Sequence, residues 1–446
     1  MKSHVLVVGA GISGLAAAYE LTMRGHRVRV REASSRAGGL IQTEHTDGFI
    51  IEAGPDSILN AKPAALELIR ELGLERELIA VRQPGAFVLK GQTLHALPQP
   101  SFLGIPLTAD ALAAYDLLSP EGRARMAQEP TVPAGSGDDE SVGAFFRRRF
   151  GAEAVDLIAQ PLLGGIHAGD IEQLSMRSLF PRLLDAEREN GTVMPRSEVR
   201  GPRSEVRGSR SEVRGFAALR SGMRTLVAAL EAALPPGTIE YNSRVESLDD
   251  PDASAVIIAA HAYAAASLLE PIDREAARLC ALVPYVSTAS IALAWPRDAV
   301  PHPLNGTGFV VARRYSDVRI TACTWVSSKW EARAPDDSVL IRTFIGGAHD
   351  PHVVDLPDDE LIAIARRDLQ SVLGVTAAPV LARVYRWRRA GAQHLVGHLD
   401  RVVEIERRLA SRGIFVAGSG FRAVGIPDCV ADGRRVARDA MEFRAD

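Results

Sequence analysis

Three glycines spaced Gly9-x-Gly11-x-x-Gly14 follow the apolar run Val5-Leu6-Val7-Val8 and open onto a helical stretch from Leu15 to Arg24. The first glycine permits a tight turn, the second lets backbone approach a pyrophosphate, and the third lets helix and strand pack closely. The helix N-terminus, with its unpaired N–H groups, then faces the phosphates. Glu32 stands 18 residues beyond Gly14, at the end of the next strand, where a carboxylate can accept from a ribose diol. A carboxylate there repels a 2′-phosphate, so NADP is disfavoured and FAD or NAD remains.

Two further turns favour the longer ligand. Arg36-x-Gly38-Gly39-Leu40 adds a glycine turn with an arginine, and Gly54-Pro55-Asp56-Ser57 follows the strand Phe49 to Glu52. Near the far end, Gly418-Ser419-Gly420 leads through Val424-Gly425-Ile426 to a helix expected over Pro427 to Arg444. Proline is pre-organised for a first helical turn, and the positive end of that helix can stabilise charge that develops on a reduced flavin. These features favour FAD over NAD. No Ser/His/Asp set and no HExxH occurs, and no catalytic acid, base or nucleophile is assigned. His349-x-x-His352 sits in a polar loop and reads as surface histidines, with no metal expected.

The elements that must position these residues follow from periodicity. Residues 4 to 32 read as strand, glycine turn, helix ending at Gly25, and strand. Helices are expected over Leu66 to Ile79 with a break at Gly73, over most of Ala109 to Arg188, over Phe216 to Leu234 and over Asp358 to Leu373. A hairpin is expected around Lys90-Gly91, and strands over Thr238 to Ser247, over Val256 to Ala259 and through Ser287 to Leu381. The heptapeptide repeat at Arg196 to Gly215, reading RSEVRGP, RSEVRGS, RSEVRG, has a glycine in every unit and no apolar seam. It predicts an expanded solvated loop rather than a coiled coil.

At 446 residues and roughly 150 residues per domain, two or three structural units are expected. With 52 basic and 55 acidic residues the net charge is −3, so no global field argues for nucleic acid or an anionic membrane. Cys280, Cys323 and Cys429 are too scattered for a disulfide framework and fit a reducing compartment. The apolar N-terminal run is too short for a signal peptide or a span, and the expected location is cytoplasmic.

The chain resembles the flavin-dependent protoporphyrinogen and coproporphyrinogen oxidases of haem biosynthesis, within the amine-oxidase-like flavoproteins. The resemblance rests on VVGAGISGLAAAYEL with EASSRAGGLIQT, on Pro161-Leu162-Leu163-Gly164-Gly165-Ile166-His167-Ala168-Gly169-Asp170 with Leu174-Ser175-Met176-Arg177, on Ile320-Thr321-Ala322-Cys323-Thr324-Trp325, and on Gly425-Ile426-Pro427-Asp428-Cys429. It departs at His167 and at Gln393-His394, where an aromatic Phe or Tyr and Gln-Tyr are usual.

The resemblance implies an α/β fold. A Rossmann-like FAD-binding domain would be assembled from 1–80, 216–262 and 385–446. A mixed-sheet α+β substrate domain would comprise 81–100 and 263–384, and a helical domain 101–195, with 196–215 as a loop. It carries cofactor contacts onto Gly9, Ala10, Gly11, Ile12, Ser13, Gly14, Glu32, Ala33, Arg36, Gly39, Leu40, Gly54, Pro55, Asp56, Ser57, Val245, Trp387, Val424, Gly425 and Ile426. Substrate contacts would come from Gly165, His167, Thr307, Phe309 and Val310, with Arg177, Arg313, Arg314 or Lys329 meeting propionates.

The implied reaction is the six-electron oxidation of protoporphyrinogen IX to protoporphyrin IX, with three dioxygen molecules reduced to hydrogen peroxide. Coproporphyrinogen III is the alternative substrate, and an amine oxidase or desaturase a more distant reading. A haem-pathway enzyme partner also follows from the resemblance. So does peripheral contact with the inner face of the cell membrane through Phe102, Leu103, Ile105 and Leu107.

Overall fold

The structure is a computed structural model that describes residues 4–194 and 215–443. Apart from Gly215, the heptapeptide repeat lies outside the described residues. Two units are resolved, one from residues 4–80, 215–285 and 398–443, the other from 81–194 and 286–397.

The first unit is built on a five-stranded parallel sheet. Its strands are β1 (His4–Val8), β2 (Val28–Arg31), β3 (Ile239–Glu240), β4 (Ala253–Ile258) and β5 (Ile414–Val416). They lie side by side in the order β3-β2-β1-β4-β5, all parallel. Helix α1 (Ile12–Met23) follows β1, and α2 (Ile426–Glu442) follows β5. The run Leu15-Ala16-Ala17-Ala18 on α1 is fully buried, and its small side chains let α2 approach. A Cβ on Gly433 of α2 would come within 2.2 Å of the Ser13 carbonyl oxygen.

The second unit centres on a mixed seven-stranded sheet. Its order is Leu381–Ala392, Tyr285–Pro296, Ser338–Gly346, Ala322–Trp325, Gly308–Val311, Phe87–Lys90, Thr93–Ala96. Alternation along the strands separates two cores. Ile291, Leu293, Trp295, Val339, Ile341 and Trp325 pack with Leu361, Ala365 and Leu369 of the helix Asp358–Leu373. A second core joins Val88 and Ala312 to Phe145, Phe146, Leu157 and Ile158 of the helical stretch 109–190. There Arg149, fully buried, donates to Glu129 and Glu187, and Arg148 also pairs with Glu187, so two arginines balance two buried carboxylates.

Several elements differ from the sequence reading. Phe216–Leu219 is a strand, paired antiparallel with Ile58–Leu59 and Leu78–Ala80, and the helix begins only at Arg224. Gly222, at φ +94°, makes the turn that separates them. The expected strand Thr238 to Ser247 is reduced to Ile239–Glu240, since Asn242 takes a left-handed conformation at φ +51°. Residues 263–285 belong to the first unit: helices Ala262–Leu269 and Arg274–Ala281 pack on each other, and Asp273 pairs with Arg408 of the helix His398–Ala410. Residues 385–397 belong to the second unit because Leu381–Ala392 runs as a sheet edge strand. Helical residues 101–194 group with the same unit.

Of the four apolar residues expected at a membrane surface, Ile105 is buried, Leu103 packs against the helical core, Leu107 is half-buried and Phe102 is exposed. Among the described residues no helix is long and apolar enough to cross a membrane.

Candidate flavin site

A cavity of about 840 Å³ lies in the first unit, at the carboxyl ends of its parallel strands. Val8, Gly9, Gly11, Ile12 and Ser13 line it where β1 passes into α1, Glu32 and Ala33 where β2 ends, and Ala417, Gly418 and Ser419 where β5 ends. The glycines divide their work as their spacing predicts. Gly9, at φ +100°, has no room for a Cβ, which would meet the Ala259 carbonyl at 2.7 Å. At Gly14 the Cβ would sit 2.0 Å from the Gly9 carbonyl, so this position holds helix to strand. Gly11 is different: its Cβ would touch nothing within 4 Å and would project into open space. Its backbone pairs with Gly38, and the Gly38 N–H donates to the Ala10 carbonyl at 2.8 Å, so the second glycine turn is fastened onto the first.

Glu32 is fixed by the chain. Its Oε2 accepts from the Ala10 N–H at 2.7 Å, and its Oε1 from the Ser34 N–H and hydroxyl at 2.8 and 2.7 Å. A carboxylate has about four acceptor positions, so room is left for a ribose hydroxyl. Arg36 does not line the cavity; its guanidinium donates to the carbonyls of Ala37, Gly39 and Ile41 and so shapes the glycine turn. Burial, with the charge of Arg224 nearby, lowers its pKa from the usual arginine value.

Neither α1 nor α2 has a side-chain N-cap, and both begin at the cavity. Gly425 reaches φ +84° to start α2, and Pro427 occupies its first turn. Asp432, one turn further along, accepts from the Gly418 N–H at 2.8 Å and so ties the last glycine loop to α2. Burial raises the Asp432 pKa against the opposing pull of Arg435 and that N–H group. Burial also pushes the Cys429 thiol up to about 12, so a neutral thiol faces the cavity.

Of the expected cofactor residues, Gly9, Gly11, Ile12, Ser13, Glu32, Ala33, Gly39, Leu40, Pro55, Val245, Gly425 and Ile426 line this cavity. Ala10, Gly14, Gly54, Asp56, Ser57 and Val424 are not among its lining residues, and Trp387 belongs to the other unit. Sequence reasoning missed Arg244, His261 and Tyr263. His261 stacks on Tyr263 with ring centres 5.1 Å apart and meets Tyr285 edge-on. The apolar strand before His261 was readable, but the helix that begins at Ala262 was not.

In the second unit, Gly165 and His167 form one short turn, Gly165–His167, at the end of an i→i+5 helix, Val155–Gly164. Pro161 inside that helix has no N–H to give, and the wide winding accommodates it. The turn is held from behind: Gln393 donates to the His167 carbonyl and Gln160 to that of Gly169, each at 3.0 Å. Its outer side, Gly165 and Ile166, is exposed.

Thr307 donates to the Gly85 carbonyl. Phe309 corrects the sequence reading. It is 2% exposed and packs in the core near Trp325, so it cannot stack on a ligand. Val310, its neighbour, faces the other side of the sheet, because consecutive strand residues point oppositely. Among the expected propionate cations, Arg314 is paired through both carboxylate oxygens of Asp156, and Lys329 lies over the Trp330 ring.

Residues 12–441 match the family described as flavin containing amine oxidoreductase. The chain belongs to that family. Among its members it stands with the porphyrinogen oxidases. It is 36% identical over 466 residues to coproporphyrinogen III oxidase of Bacillus subtilis (strain 168), covering 99% of this chain and 98% of the relative. It is 28% identical over 491 residues to the chloroplastic protoporphyrinogen oxidase of Nicotiana tabacum, covering 98% and 85%. A solved structure from Exiguobacterium sp. 255-15, provisionally named a protoporphyrinogen oxidase, superposes with a TM-score of 0.86 at 28% identity over 99% of this chain and 100% of that one.

The protein is thus a flavin-dependent oxidoreductase. Its cavity suits the dinucleotide form, FAD, because the glycine turns, the uncapped α1 and Glu32 together are fitted to a pyrophosphate and a ribose.

Proposed function

We propose that this flavoenzyme oxidises coproporphyrinogen III to coproporphyrin III with dioxygen as electron acceptor. The observation that carries this reading is the full-length similarity to curated bacterial relatives of that name at 31 to 36% identity, above the 28% of the plant protoporphyrinogen oxidases. Protoporphyrinogen IX is the second reading, favoured by those plant relatives and by the Exiguobacterium structure. Amine oxidation has weaker support, since the solved putrescine oxidase shares 18% identity and thus the fold alone.

FAD, when bound, supplies a two-electron acceptor that dioxygen can reoxidise to give hydrogen peroxide. The chain's part is positioning. Gly9 to Ser13 and the α1 N-terminus would hold the phosphates and Glu32 the ribose, while Asp432 keeps the Gly418 loop in place. In the second unit the exposed Gly165–Ile166 ledge, braced by Gln160 and Gln393, offers an edge with little steric bulk to a flat macrocycle. Arg313 has no ion pair or hydrogen bond among the described residues, and we assign it to a propionate. Each round removes a hydride and a proton from the macrocycle, and dioxygen takes up both electrons with two protons. Three rounds account for six electrons and three peroxides.

The test is direct. Flavin-loaded protein is mixed with anaerobically prepared coproporphyrinogen III or protoporphyrinogen IX, air is admitted, and porphyrin fluorescence is followed. Faster oxidation of coproporphyrinogen is expected. Equal or greater rates with protoporphyrinogen would select the second reading, and no acceleration over autoxidation with either would end both.

A further inference from the structure

We propose that the Lys62–Asp428 ion pair sets the redox potential of the bound flavin by keeping the cavity end of α2 electrically positive. The Lys62 ammonium donates to Asp428 Oδ2 at 2.6 Å, joining the turn after the strand Ile58–Leu59 to the first turn of α2. The inference rests on the flavin site and not on the choice of porphyrinogen.

The two ends of the cavity differ in chemistry. Glu32 and Val245 line one end, suited to a ribose and its base, and the N-terminus of α1 lies next, suited to the pyrophosphate. What remains for the isoalloxazine is the end lined by Leu40, Pro55, Gly418, Gly425, Ile426 and Cys429, where α2 begins. A helix N-terminus carries about half a positive charge, and that charge favours an anion placed against it. Asp428, in the first turn of the same helix, works against it: its carboxylate would cancel the positive end at the place where the ring must lie. Lys62 removes that conflict. Paired with Asp428, it leaves the local charge near zero and the helix end uncompensated.

Neither side chain lines the cavity, but both charges act on a group that does. The Cys429 thiol, which lines it, is raised chiefly by burial, and Asp428 raises it further while Lys62 lowers it. A flavin that accepts a hydride gains two electrons with one proton and is left with negative charge. A more positive surrounding therefore raises its potential and a more negative one lowers it. The pair is partly exposed, with Lys62 at 37% and Asp428 at 26%, so its influence is partly screened by salt.

The experiment is an anaerobic spectroelectrochemical titration of the flavin-loaded protein. Lys62→Met leaves Asp428 uncompensated and shifts the midpoint potential to more negative values. Asp428→Asn leaves Lys62 in place and shifts it to more positive values. The double variant restores local neutrality and returns close to wild type, and the single-variant shifts shrink as potassium chloride is raised.

A merely structural role would move both single variants in the same direction, through a loosened helix end, and that result would overturn the proposal. So would a potential unchanged in Asp428→Asn, the variant that keeps its shape and decides the matter if Lys62→Met retains no flavin. Protein that binds no flavin in any form would instead remove the flavin site itself.

Discussion

Glu32 accepts three hydrogen bonds from its own chain, and so one residue both orders the turn at the end of β2 and presents a carboxylate to the cavity. Hydrogen bonds to a charged group contribute about 1.5–3 kcal/mol each. Glu32→Ala is therefore expected to weaken FAD binding by about ten- to a hundredfold, at roughly tenfold per 1.4 kcal/mol. Fluorescence titration of the deflavinated protein with FAD measures it, and an unchanged affinity would remove Glu32 from the site. Glu32 was legible in the sequence because its role depends on local spacing from Gly14. Phe309 was not. Its type suits stacking on a ring, but which side of a strand it faces is decided by long-range pairing, here with Cys323, and that pairing puts it in the core. His261 and Tyr263 escaped notice for a related reason: they reach the cavity through the packing of β4 on β1 and β5, which no local pattern records.

Elements with strong local signals were read closely. The βαβ unit, the hairpin around Lys90-Gly91 and the helix Asp358–Leu373 stand where periodicity and turn residues put them. Elements that depend on partners were misread, such as Phe216–Leu219, whose apolar run fits a helix until two flanking strands claim it. The contact between α1 and α2 is of the same non-local kind, and it ties the two chain ends together. Gly433 lies against the Ser13 carbonyl, and Ser13 lines the cavity, so this contact joins helix packing to the ligand site. Gly433→Leu forces the helices apart. It is expected to cost about 1–3 kcal/mol, the usual range for overpacking, and to lower the flavin content of the purified protein. Thermal unfolding and the visible spectrum report the two effects. Unchanged stability with full flavin would show that the helices can separate without consequence.

Across the whole molecule, 52 basic and 55 acidic residues nearly cancel, and the structure shows the cancellation to be local, with pairs such as Arg438–Glu20, Arg148–Glu187 and Arg29–Glu240 in both units. Burial alone would raise Glu20, but hydrogen bonds from Arg438 and Arg24 hold its pKa below the usual glutamate value. Glu187 is likewise desolvated, yet Arg148 and the charge of Arg149 hold it low. The hydrogen bond from Arg29 lowers Glu240. A carboxylate with a depressed folded pKa contributes stability that is full above its unfolded value, near 4.3 for glutamate, and that is lost as pH falls through the folded value. Asp432 has the opposite sign. Burial raises its folded pKa, so its ionised form costs stability at neutral pH, and protonation relieves that cost. The depressed glutamates outnumber it and stand in both units, so acid destabilises the protein on balance. The urea midpoint is expected to be level from pH 7 to about pH 5 and to fall below about pH 4.5, with circular dichroism and flavin release both following the decline. In Asp432→Asn the compensating group no longer titrates, so the decline becomes steeper, and a midpoint that rises on acidification would contradict the assignment of these pairs. Near-neutral net charge is no guarantee of acid tolerance here, because it arises from the very pairs whose carboxylates acid protonates.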